Sequence, residues 1–173
     1  VNSEVIEGLN YVRNTPVVIL ILMSTLVNGL LGRSLIELRP AVSGLLLMGG
    51  ASELAWLTAA AGTGAVLGGL LMSRQAAHVM GLYRLILVAL LGATLLLATL
   101  NWLDALISLA VVVGLITFTT TIAGTGCQAL TQLLIDPNYH GRVMSLWSMT
   151  MMASPALGAA TNGALAEWAG FVT

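Results

Sequence analysis

The chain has 173 residues, 58% apolar and 8% charged, with no lysine and a formal net charge of -1, against roughly 45–50% apolar and about 25% charged in soluble domains. That composition excludes an ordinary water-soluble globule, and the lack of a basic surplus excludes the electrostatic footprint of a nucleic-acid binder. A mean hydropathy of +0.97 places the chain in lipid, while a lone Cys127 rules out an intrachain disulfide or a CxxC metal motif.

Residues 1–15 are polar and amphipathic. Ser3 can cap a short helix whose Val5, Leu9 and Val12 share one face, so the segment reads as a helix lying on the membrane surface and is too polar for a cleaved signal peptide. Thr15-Pro16 then puts proline in the first turn of the next helix, where its missing N–H costs nothing. Residues 16–173 form the transmembrane domain. Five windows reach the roughly 20 apolar residues a spanning helix needs, near residues 17–38, 54–72, 82–100, 105–134 and 143–166. Turn-forming stretches at 40–50, 73–81, 101–104 and 136–138 separate them. The expected fold is an all-α membrane protein, a helical bundle of five transmembrane helices. Its odd span count, with Val1 at the start and an apolar stretch just before Thr173, reads as a piece of a longer polypeptide.

Arginines favour the cytoplasmic side. With a cytoplasmic N-terminus, the inner segments carry Arg13, Arg74, Arg84 and Arg142 with His78 and His140, and the outer ones carry Arg33 and Arg39. Glu53, Asp104 and Glu167 then all fall outside. Glu53 also suits the positive end of the second helix.

Polar residues are expensive in hydrocarbon, so their distribution separates lipid-facing helices from the rest. The third span holds only Arg84, Thr94 and Thr99 and can sit on the outside of the bundle. The fourth and fifth carry a succession of Thr, Ser, Gln and Asn and should face protein or water. Hydroxyls can bond back to their own helix, but the amides Asn28, Gln128, Gln132 and Asn162 need several partners. Asn28, Gln128, Ser148 and Ser154 are the candidate cavity residues. Arg33 and Glu37, four apart on one helix face, are candidates for a gate or for proton coupling, or else for snorkelling to the interface. Arg142 is an inner-gate candidate, or a plain inner anchor. Gly64-x-x-x-Gly68 and Ala159-x-x-x-Gly163 allow close helix packing. The string from Gly62 to Gly68 mimics a dinucleotide fingerprint but lies inside a span, with no strand before it and no acidic residue until Asp104. Pro155 removes a backbone hydrogen bond inside the fifth span and should kink it. No Ser/His/Asp set, carboxylate pair or metal-ligand spacing converges, so neither catalytic residues, cofactor nor metal is expected, and the chain is read as a non-enzyme.

Taken in order, the segments resemble the C-terminal half of a major facilitator superfamily carrier, in the exporter branch that includes the enterobactin exporter and macrolide-efflux-like proteins. The resemblance is carried by the stretch from Glu7 to Val17 (EGLNYVRNTPV), Gly32 to Ala41 (GRSLIELRPA), Leu57 to Arg74 (LTAAAGTGAVLGGLLMSR) and Asp136 to Met149 (DPNYHGRVMSLWSM). The loop from Ser73 to Arg84 keeps only Gly81 and Arg84 of the superfamily's Asp-Arg-x-Gly-Arg-Arg motif. The resemblance implies that the five spans are helices seven to eleven of the carrier, with the third peripheral and the others lining a central cavity, and that residues 1–15 end the central cytoplasmic loop. It also implies proton-driven export of a small amphipathic molecule such as a drug or siderophore, by alternating access, from a bacterial inner membrane. The implied partners are the small-molecule substrate, protons, the lipid bilayer and an N-terminal half of the same polypeptide. Uptake by the same fold and a non-transporting scaffold are the alternatives.

Overall fold

The computed structural model describes residues 11–30, 51–74, 79–103 and 105–168. Among these residues every regular element is helical. Residues 11–14 form a helical turn that leads into α1, Pro16–Asn28, with proline in its first turn, and residues 29–30 continue as a π-turn. α2 is Ala51–Arg74, α3 Val79–Thr99, α4 Leu106–Leu134 and α5 His140–Trp168. Single 3₁₀ turns, Leu100–Trp102 and Pro137–Tyr139, join α3 to α4 and α4 to α5. Several helices run past the apolar windows of the sequence, because helical hydrogen bonding continues beyond the last apolar side chain. α5 thus starts at His140 rather than near residue 143, and it continues through Pro155.

The segments Ser52–Arg74, Val79–Thr99 and Leu106–Leu134 are each long and apolar enough to cross a membrane. Their surfaces fit that solvent. Val88, Leu91 and Leu95 of α3 are all at least 65% exposed, which in water would be an aggregation hazard and in lipid is the required surface.

α4 is the centre of the bundle and contacts α1, α2, α3 and α5. α2 runs parallel to it: Leu57 and Ala61 pack with Leu109 and Val113, and further along Gly68 faces Phe118 and Thr121. α3 runs antiparallel, with Ile86 against Gly126 and Gly92 near Thr119. α3 buries one face, Leu82, Ile86, Ala89 and Ala93, in the cluster built with Ile122, Ala123, Cys127 and Leu130. α1 is antiparallel to α4 and parallel to α5, since Val18 joins Ile135 and Val143 at one end while Asn28 and Gly29 reach Thr120 and Ser154 further on.

Successive helices therefore alternate in direction. One end of the bundle gathers Arg13, Arg74, Arg84, His140 and Arg142. The other carries Glu53 in the first turn of α2, together with the exposed indoles of Trp56 and Trp102. Among the described residues the arginines thus lie at one end of the bundle.

Candidate functional site: a polar seam at mid-bundle

Most of the polar residues of the spans are silent. Thr25, Thr117, Thr120, Thr125 and Thr131 donate to carbonyls three or four residues back on their own helices, at 2.7 to 3.2 Å, and Thr150 does the same to Leu146 at 2.9 Å. Such bonds cost little in hydrocarbon and carry no ligand.

Asn28 and Ser154 behave differently. Asn28 is 2% exposed, and its Nδ2 donates across to the Thr120 carbonyl of α4 at 3.2 Å. That single bond fixes the amide, yet its Oδ1 has no partner. Ser154 is fully buried, and its Oγ makes no bond, not even to its own helix. Seven residues earlier on α5, Trp147 is 8% exposed with an unpartnered Nε1. Val143, Trp147 and Ser154 are buried at a spacing of four and seven, so they share the face of α5 that meets α1 and α4.

Depth follows from position in the helices. Thr120 lies fourteen residues from either end of α4, and Ser154 fourteen from either end of α5. At about 1.5 Å rise per residue that is roughly 21 Å from each helix end, so both lie at mid-length of their helices. An unsatisfied buried polar atom costs about 1–3 kcal/mol, so Asn28 Oδ1, Ser154 Oγ and Trp147 Nε1 are the atoms at which a polar partner would gain most. Pro155 adds to the polarity: lacking an N–H, it leaves the Met151 carbonyl without its helical donor.

Two glycines bring the helices this close. A Cβ at Gly29 would run into the Ser154 side chain, its hydroxyl first, and one at Gly124 would sit 3.3 Å from Asn28 Nδ2 and 3.7 Å from the Met151 methyl. Gly29, Thr120, Gly124, Trp147 and Met151 were not singled out by the sequence. A backbone carbonyl has no residue signature, and a glycine opposite a serine 125 positions away leaves no local pattern.

The other sequence candidates scatter. Gln128 is half-buried and Ser148 exposed; neither joins the seam through any of the bonds above. Gly64 and Gly68 lie against α4, where a Cβ would meet the Gly114 carbonyl and the Phe118 carbonyl respectively. Gly163 lies within α5. Arg33 and Glu37 fall outside the described residues.

Arg142 sits at the arginine-rich end, half-buried, with its guanidinium carbon 5.8 Å from the centre of the Tyr139 ring. Tyr139 stacks on Tyr11 at 4.5 Å, and the Tyr11 hydroxyl accepts from the Asp136 N–H at 3.3 Å. This cluster pins the entry to α1 onto the α4–α5 junction.

A second concavity, an open groove of about 950 Å³ between α2 and α4, is floored by Ala60, Gly64, Ala110 and Gly114 and edged by Trp56 and Phe118. Its one hydroxyl, Thr63, is turned back onto the Ala59 carbonyl, so the groove offers hydrocarbon contact and no polar recognition. Among the described residues, no three His, Cys, Asp or Glu side chains come together to hold a metal.

A family model described as transmembrane secretion effector matches residues 1–173. No curated protein and no solved structure matches the chain.

Proposed function

We propose that this chain, which belongs to the transmembrane secretion effector family of major facilitator transporters, exports a small amphipathic molecule by alternating access, at the expense of a proton gradient. Family membership makes it a multi-pass membrane transporter. The observation that supports a solute path through this bundle is the polar seam at mid-length, where Asn28 Oδ1 and Ser154 Oγ are buried without partners. Polar groups held at that depth are costly, and in membrane proteins they mark substrate and ion pathways.

On this reading Asn28 and Ser154 are the polar contacts for substrate, and Gln128 and Ser148 are cavity candidates that lie outside the seam. Arg33 and Glu37 supply the outer gate or the coupling proton, and Arg142 the inner gate. Gly64, Gly68 and Gly163 keep the helices in contact. The bundle works with a second one from the same polypeptide, in a bacterial inner membrane, as in the exporters it resembles.

Reconstitution of the full-length polypeptide into liposomes tests the proposal, with ethidium as the amphipathic probe and an imposed pH gradient. Gradient-dependent dye movement is expected, lost in Asn28→Leu and made independent of pH in Glu37→Gln. Flux no greater than in empty liposomes would refute the transport reading for this probe class. Normal flux in Asn28→Leu would remove Asn28 from the path.

A further inference from the structure

We propose that the groove between α2 and α4 holds one acyl chain of a phospholipid whose headgroup carries an ammonium, with Glu53 at the groove mouth as the carboxylate that meets it. One stripe of each helix walls the groove: Trp56, Ala60 and Leu67 on α2, and Ile107, Val111 and Phe118 on α4. Each stripe, from Trp56 to Leu67 or from Ile107 to Phe118, is about 16 Å long at about 1.5 Å rise per residue, close to half of the roughly 30 Å hydrocarbon core. The two helices are parallel, so both stripes start at the end of the bundle opposite the arginines and stop near mid-length. The groove therefore has the depth of one leaflet. Its walls are hydrocarbon, since the Thr63 hydroxyl is turned onto the Ala59 carbonyl, and its floor is deep because the glycines and alanines there have little side chain to fill it. A volume of about 950 Å³ lies within the roughly 300–1,000 Å³ of small-molecule sites. A long, narrow, apolar cleft of this kind takes a flexible hydrocarbon chain.

Glu53 selects the headgroup. It lies three residues before Trp56 and seven before Ala60, on the same stripe of α2, and is half-buried in the first turn of that helix. Trp56, 64% exposed, stands between the carboxylate and the apolar walls, where an indole at the membrane–water boundary belongs. A chain lying in the groove thus carries its headgroup to a carboxylate, which attracts an ammonium and repels an anionic headgroup. A second copy of the bundle is the poorer occupant. A two-fold axis along the membrane normal would set its Glu53 at the same level, like charge toward like. The groove is also separate from the polar seam: Val111 in the groove and Gly124, which faces Asn28, are about 140° apart round α4. The lipid site therefore goes beyond the transport reading and does not rest on it.

The test is native mass spectrometry of the full-length protein, stripped of lipid in detergent and then given equal amounts of palmitoyl-oleoyl phosphatidylethanolamine and phosphatidylglycerol. One retained phosphatidylethanolamine per protein is expected, in about fivefold excess over phosphatidylglycerol, the discrimination one interfacial ion pair supplies. Val111→Trp puts an indole into the groove at a position that is 57% exposed, so the fold should tolerate it and the retained lipid should be lost. Val88→Trp, at a similarly exposed position on α3, should leave the lipid in place. Glu53→Gln should still retain a lipid but take the two headgroups equally. Occupancy that ignores Val111→Trp, or a headgroup preference that survives Glu53→Gln, would overturn the proposal. So would a lipid-free dimer that Val111→Trp splits, which would give the groove to a second copy.

Discussion

Replacing Gly64 by alanine tests whether α2 is seated on α4 by backbone proximity. A methyl at that position would overlap the Gly114 carbonyl group, whose carbon is 2.9 Å from the new atom, with the Phe118 nitrogen at 3.1 Å. Both obstacles are main chain of the central helix, which is packed on four neighbours and has no rotamer by which to retreat. α2 must therefore move. Forced overpacking costs about 1–3 kcal/mol, and alanine's advantage over glycine inside a helix returns about 0.5–1 kcal/mol, leaving a net loss of up to about 2.5 kcal/mol. Tm should fall accordingly. The same helix supplies its own controls, because a Cβ at Gly62 or Gly69 would meet nothing within 4 Å. Alanine at either should hold or raise Tm. Gly68→Ala should also lower it, since the Phe118 carbonyl oxygen would stand 2.8 Å away, although the other near neighbour there is the Thr121 side chain. Thermal unfolding of the full-length variants in detergent, followed by tryptophan fluorescence, measures the series. If Gly64→Ala melts with Gly62→Ala, close backbone contact is not what holds α2.

Four further outcomes follow from the same geometry. A double-mutant cycle on Tyr11→Leu and Tyr139→Leu should give a coupling of about 0.5–1.5 kcal/mol in thermal stability, the worth of a stacked aromatic pair; additive losses would mean that the stack contributes nothing. Asn28→Leu should change stability by less than about 1 kcal/mol, because the lost bond to the Thr120 carbonyl is offset by removal of the unsatisfied Oδ1; a large fall in Tm would show that the amide is a structural strut. Cys127, 1% exposed, should resist N-ethylmaleimide in the folded protein and react on denaturation. In single-tryptophan variants, Trp56 and Trp102 should both be quenched best by lipids brominated near the headgroup, since both lie at the same end of the bundle; quenching by chain-centre bromines would contradict the arrangement.

Fold class was legible because it depends on composition over windows of about twenty residues. Leu, Val, Ala and Gly in long runs, with arginines confined to a few turns, dictate helices in lipid whatever their neighbours are. The packing face of α2 was legible too, since the glycines at 64 and 68 share one stripe by helical periodicity alone.

The polar seam was only half visible. The sequence marks Asn28 as difficult in hydrocarbon and offers Ser148 and Ser154 as equal candidates, but it cannot say which hydroxyl stays unpaired, because each can turn back on its own helix. Which hydroxyl does so is a local matter for Thr117, Thr125 and Thr150, each of which has a carbonyl in reach. For Ser154 it is decided elsewhere, where Gly29 of another helix lies against the hydroxyl. The partner of Asn28 is equally invisible, being a main-chain carbonyl at Thr120 that any residue could have supplied. What the sequence determined by itself was the solvent and the helices, since these follow from sums over neighbouring residues. Only the tertiary structure decided which polar atoms were left unpaired in the middle of the bundle, since an unmet hydrogen bond is a property of what surrounds an atom in space, and those surroundings come from residues far away in the chain, 92 positions for Asn28 and Thr120.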